Sequence, residues 1–181
     1  MELLLIRHLP TEWNKSGLLQ GSQDIPLLPV HDEDLTKVEE NKKMISSFHP
    51  EIVVASGLMR TQQTAFHYGF QKPIIEPLVN ELNFGKYEGL EKKHLLAVKE
   101  WSSDPKSLTL GEHMSNFEKR IILFLNKYNH NARILVFGHG AWIRALISLN
   151  RVGSIQEMNK VNVHNNELIY LTIKQQLLQL R

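Results

Sequence analysis

Residues 134–149 read ILVFGHGAWIRALISL. The apolar run Ile134–Phe137 has the length and composition of a strand buried on both faces. Gly138-His139-Gly140 breaks the run, and a helix is expected from about Ala141 to Leu149. The same pattern recurs upstream. Leu3–Ile6 is an apolar run followed by Arg7 and His8. Ile52–Ala55 is another, followed by Ser56 and by a helix expected over Met59–Tyr68, which carries Arg60 in its first turn. Pro73-Ile74-Ile75 and Leu168–Ile173 complete the expected strands. Leu35, Val38, Ile45 and Phe48 recur at helical spacing within Asp34–Phe48. Phe117, Ile121, Phe124, Leu125 and Tyr128 mark one face of a further helix, whose start is read at a Ser115–Glu118 capping box. Asp24–Asp34 and Ser102–Gly111 read as surface loops. Apolar strands alternating with amphipathic helices predict an α/β fold: a three-layer sandwich, with a mainly parallel central sheet and helices on both faces.

The chain of 181 residues fits a single domain over 1–181. Lysine and arginine number 21 against 19 acidic residues, a net charge of +2. That balance gives no sign of a nucleic-acid or membrane-surface partner. Cysteine is absent, which excludes a disulfide framework, a thiol nucleophile, a Cys-ligated zinc and an iron–sulfur cluster. No apolar run approaches the roughly 18 residues of a membrane span. Arg7 and His8 follow the N-terminal apolar run rather than precede it, unlike the order in a signal peptide. A cytoplasmic location is the simplest expectation. No heptad run or long exposed apolar helix marks an oligomer interface.

In open α/β sheets, ligands sit beyond the carboxyl ends of the strands. The residues that follow three expected strands are Arg7 and His8, then Ser56 and Arg60, then His139 between two glycines. Two arginines and two histidines at one sheet edge, beside helix N-termini, call for an anion, and the guanidinium fork favours phosphate. Glu81 adds a carboxyl group. Near a phosphate such a group is useful when protonated, as a donor to the leaving oxygen. Glu88 is a rival for that role. Histidine, arginine and carboxyl together point to phosphoryl transfer through a covalent phosphohistidine. Arg144 reads as structural or surface, and Trp13, Trp101 and Trp142 as packing residues.

Four segments, in order, resemble the histidine phosphatase superfamily, also called the phosphoglycerate-mutase-like family. They are Leu5-Ile6-Arg7-His8 with Thr11-Glu12-Trp13-Asn14, then Ala55 to Ala65 around Arg60, then Glu81 to Leu90, then Val136 to Arg144 around His139. The resemblance implies that His8 is the nucleophile and that Arg7, Arg60 and His139 bind the phosphate, with His139 counted in the catalytic group. It implies that Glu81 is the proton donor and afterwards the base for water. It makes Asn14 a candidate pocket residue and places Glu112 near the pocket. It implies no metal and no cofactor, and a small-molecule phosphomonoester as the partner. Three departures stand out. Leu9 replaces the glycine after the nucleophile, Gly57 stands where the family often has proline, and Leu28-Pro29-Val30 replaces a polar helix start. The short chain and the segment Gly17–Leu27 resemble the small phosphatase branch, including α-ribazole-phosphate phosphatases and broad-specificity bacterial phosphatases. Hydrolysis is therefore the favoured expectation. Phosphoglycerate-mutase-type transfer and a non-catalytic phospho-ligand binder are the alternatives.

Overall fold

Five strands, β1 (Glu2–Arg7), β2 (Ile52–Ala55), β3 (Ile74–Ile75), β4 (Arg133–Gly138) and β5 (Leu168–Thr172), form one sheet in the order β3-β2-β4-β1-β5. The computed structural model describes residues 1–179. β1, β2, β3 and β4 run parallel, while β5 pairs antiparallel with β1 at the edge. The helices are α1 (Glu12–Lys15), α2 (Asp32–Phe48), α3 (Met59–His67), α4 (Lys92–Leu96), α5 (Lys99–Ser103), α6 (Met114–Lys127) and α7 (Gly140–Val152). The expected α/β sandwich is thus present.

Alternation along the central strands divides the core in two. Leu3, Leu5, Ile134 and Val136 join the apolar faces of α6 and α7, including Phe117, Phe124 and Trp142. Leu4, Ile6, Leu135 and Phe137 join Val38 and Ile45 of α2 and Ala65 of α3. Both sheet faces are covered, which is why these strands carry no polar residue along their centres. Each large side chain buried there stabilises by roughly 1.5–3 kcal/mol.

α2 starts two residues before the expected Asp34, and Asp32, Glu33 and Asp34 fill its first turn, where the helix dipole favours acidic groups. It ends at His49, whose φ of 49° forms a left-handed cap before Pro50. The expected capping box at Ser115 and Glu118 is not formed. His113 is the N-cap of α6, and its ring accepts from the Ser115 N–H at 3.1 Å. Ser115 already lies inside the helix. Glu118 is buried, accepts from the Ile155 N–H at 3.1 Å and pairs with Lys106; tertiary partners take the carboxylate that a cap would have used. The segment Ser102–Gly111 is also not a plain loop. It includes the end of α5 and a 3₁₀ turn at Pro105–Ser107, held by the buried Trp101 and Pro105. Among the described residues, no helix is long and apolar enough to cross a membrane.

Candidate active site

β1, β4 and β2 are neighbours and parallel, so their carboxyl ends share one edge. Arg7 lies level with Gly138, and the His8 N–H donates to the Gly138 carbonyl at 3.0 Å. From the turn before β5, Asn165 donates through its side chain to the His8 carbonyl at 2.8 Å, and the Asn166 N–H donates to the Arg7 carbonyl at 3.0 Å. The strand end that carries Arg7 and His8 is therefore gripped from both sides.

The His8 ring is buried, and its Nδ1 lies 2.7 Å from the Leu9 carbonyl oxygen. A carbonyl only accepts, so Nδ1 carries the proton and Nε2 keeps its lone pair. Burial, reinforced by Arg60 and Arg7, holds the His8 imidazole well below the usual histidine range and thus neutral. The His139 ring stands edge-on to His8 with centroids 5.4 Å apart. It is wholly buried, and burial, with Arg60 and His8, likewise lowers its pKa well below the ordinary value. Its Nε2 lies 2.7 Å from the Ser56 hydroxyl.

The two arginines are anchored by main-chain carbonyls. Arg7 donates from Nη1 to Val163 at 2.7 Å. Arg60 donates from Nη1 to Gln23 at 2.6 Å and from Nη2 to Gly21 at 2.8 Å. Burial pushes the Arg60 guanidinium down to about 10, which leaves it cationic at neutral pH. Arg7 Nε, Arg60 Nε and His139 Nδ1 are buried without a hydrogen-bond partner among the described residues. Such groups are costly unless an acceptor meets them, and an oxyanion between the two arginines suits that need.

Glu81 reaches across to the start of α7. Its carboxylate accepts from the N–H groups of Leu82 (3.0 Å), Ala141 (3.1 Å) and Trp142 (3.1 Å). His139, the N-cap, makes no side-chain cap bond, so Glu81 supplies the cap from another part of the chain. Arg7, His8, Arg60 and Glu81 line a single cavity of about 280 Å³. Leu18, Leu95, Trp101 and Phe84 give it an apolar side, and Lys92 and Arg144 add two further cations.

His8, Arg7, Arg60 and Glu81 thus meet at one pocket, with His139 one layer deeper against His8. Asn14 lines the same pocket, but its side-chain oxygen is engaged by the Thr11 N–H at 3.1 Å in the α1 capping box. Glu88, the rival acid, does not line the pocket. It straps loops together by accepting from Ser22 N–H (2.8 Å), Gln23 Nε2 (2.8 Å) and Phe84 N–H (3.1 Å). Glu112 lies behind Glu81, paired with Arg120 at 2.9 Å. Arg144, expected to be structural or surface, does tie α7 to Asn159 at 3.1 Å, and it also lines the pocket, where Glu81 is the nearby opposite charge. Lys92, which as half of the Lys92-Lys93 pair reads from sequence as a solvated face, lines the pocket instead. Arg120 carries no sequence signal, because the carbonyls it meets belong to residues 78–81. Leu9 needs no glycine conformation. Its φ is not positive, its N–H donates to Thr64 Oγ1 at 3.0 Å, and its side chain is fully buried. Gly57 donates its N–H to Asn80 Oδ1 at 2.7 Å, a bond that proline could not make.

A family model described as "Histidine phosphatase superfamily (branch 1)" matches residues 3–181. "Putative phosphoserine phosphatase 2" of Hydrogenobacter thermophilus is 30% identical over 179 residues, covering 90% of this chain and 83% of its own. "Probable phosphoglycerate mutase GpmB" of Enterobacter sp. is 27% identical over 164 residues, covering 82% and 74%. Among solved structures, that of "a putative alpha-ribazole-5'-P phosphatase" from Escherichia coli superposes with a TM-score of 0.77 at 26% identity, covering 97% of this chain and 91% of that one.

Proposed function

Since the chain belongs to branch 1 of the histidine phosphatase superfamily, whose members similar to it are named as phosphatases or phosphoglycerate mutases, we propose that it hydrolyses a small phosphomonoester through a phosphohistidine on His8. The observation that carries this reading is the fixed tautomer of His8. Its Nδ1 proton is committed to the Leu9 carbonyl, so Nε2 offers a lone pair in a pocket lined by Arg7 and Arg60.

In the first step, His8 Nε2 attacks phosphorus and the ester P–O bond breaks. The departing oxygen takes a proton from the Glu81 carboxyl. Arg7 and Arg60 stabilise the equatorial oxygens, with His139 donating from Nδ1 when the Ser56 hydroxyl donates to Nε2. In the second step, water attacks the phosphohistidine, Glu81 takes the water proton, the N–P bond breaks and inorganic phosphate leaves with His8 restored. The roles need no metal.

The charged residues lining the pocket are Arg7, Arg60, Lys92 and Arg144 against Glu81. A phosphate alone does not balance them. Arg144 and Lys92 suit a leaving group that carries a carboxylate, as do the phosphoserine and phosphoglycerate in the relatives' names. The cavity of about 280 Å³ suits a small one.

The test is phosphate release in EDTA from p-nitrophenyl phosphate, α-ribazole phosphate, phosphoserine, phosphoethanolamine, phosphoglycerates, sugar phosphates and nucleotides. Expected are release that vanadate inhibits, a loss of roughly 10³-fold or more in His8→Ala, and phosphoserine ahead of phosphoethanolamine. Full activity in His8→Ala would overturn the mechanism. Transfer to a second hydroxyl instead of water would make the protein a mutase.

A further inference from the structure

The segment that carries Glu81 is held by one residue of α6 that lies outside the pocket lining. Arg120 commits every N–H of its guanidinium. Nη1 donates to the carbonyls of Leu78 (3.0 Å) and Asn80 (2.5 Å). Nη2 donates to the Glu81 carbonyl (2.9 Å) and to Glu112 Oε1 (2.9 Å), and Nε donates to Glu112 Oε2 (3.2 Å). Glu112 in turn accepts from the Asn83 N–H at 3.0 Å. The Phe117 ring lies 4.5 Å under the guanidinium. Arg120 does not line the pocket, so it touches no reacting atom.

One peptide plane connects this clamp to the chemistry. The Glu81 carbonyl accepts from Arg120, and the N–H of the same peptide, that of Leu82, donates to the Glu81 carboxylate at 3.0 Å. The peptide is rigid, so tilting it off Arg120 also moves the N–H that orients the carboxyl. The far side of that carboxyl is fixed by the Ala141 and Trp142 N–H groups. Leu78 is pinned further by Trp142 Nε1 (2.8 Å), and Asn80 by the Gly57 N–H (2.7 Å).

We propose that Arg120, with Glu112 as its counter-ion, is a positioning residue for proton transfer by Glu81: the clamp sets the Glu81–Leu82 peptide so that the carboxyl meets the leaving oxygen. This rests on the reading of Glu81 as the acid. Lysine cannot replace the fork, because a point charge cannot grip three carbonyls and a carboxylate at once.

A residue that only stabilises the fold slows all esters alike, whereas a residue that aims the acid matters most where the leaving oxygen needs a proton. The measurement is kcat/KM, which reports the first chemical step, for p-nitrophenyl phosphate and for an alkyl phosphate such as phosphoserine. The proteins are wild type, Glu81→Gln, Arg120→Gln, Arg120→Lys and Glu112→Gln, each corrected for its folded fraction by circular dichroism. Glu81→Gln is expected to lose about 10²–10⁴-fold on the alkyl ester and much less on the aryl ester. Arg120→Gln is expected to show the same bias, with about 10²-fold lost on the alkyl ester. Glu112→Gln should follow in the same direction and more weakly, with Arg120→Lys recovering part of the loss. Equal losses on both esters, or none, in Arg120→Gln overturn the proposal. If that variant does not fold, Glu112→Gln is judged by the same criterion. A biased Glu81→Gln beside unbiased clamp variants sinks the clamp alone. An unbiased Glu81→Gln sinks the acid reading and the clamp with it.

Discussion

Leu9 shows how one residue can be both neighbour to the proposed nucleophile, His8, and part of a core. It is fully buried in the same apolar cluster as Ile6, Val38 and Phe137, while its carbonyl fixes the His8 tautomer. Leu9→Ala should therefore cost about 3 kcal/mol of stability, read as a lower urea midpoint at unchanged slope. Phosphoenzyme should still form in the folded fraction, because the carbonyl remains. An unchanged midpoint would contradict the burial. At this scale the sequence was informative where a residue follows a strand directly, as Arg7, His8 and His139 do. It was silent on Arg120, whose carbonyl partners lie near residue 80, and it gave no hint that Arg144, which meets Asn159 at 3.1 Å, also lines the pocket.

Among the elements, the central strands were legible because burial on both faces leaves continuous apolar runs, and α2, α3, α6 and α7 because they are long enough to show a period. α4 and α5 were not, since five residues each complete little more than one turn. The turn that follows Glu81 depends on a close approach of two backbones. Gly85 has φ +57°, and a Cβ on it would lie 2.7 Å from the Gly111 nitrogen. Gly17 has φ +72°, with no atom of the described residues within 4 Å of such a Cβ. Gly85→Ala should thus cost about 2 kcal/mol or more, against about 1 kcal/mol for Gly17→Ala. The difference in urea midpoints measures the contact, and equal midpoints would deny it.

Across the whole molecule, the strand order brings three parallel strand ends together, and this places two neutral histidines in the interior. The unfolded chain takes up protons on both near pH 6.5, while the folded chain holds both pKa values well below that, chiefly through burial. Below about pH 6.5 the unfolded state therefore binds more protons, and stability is lost as pH falls through the window between the unfolded and folded values. Each histidine contributes a slope of up to about 1.4 kcal/mol per pH unit. Urea unfolding at pH 7.5, 6.5 and 5.5 should show that decline, shallower in His139→Asn. A flat profile would mean that the rings are not buried neutral.

The anchors of the three arginines share a property that reaches beyond one protein. Val163, Gly21 and Gln23, and the trio Leu78, Asn80 and Glu81 all hold a guanidinium by the carbonyl oxygen. That atom is common to every amino acid. Single mutational steps in these loops can reshape the pocket walls while the cations stay in place, so descendants of this chain can diverge in what they accept without rebuilding what holds the charge.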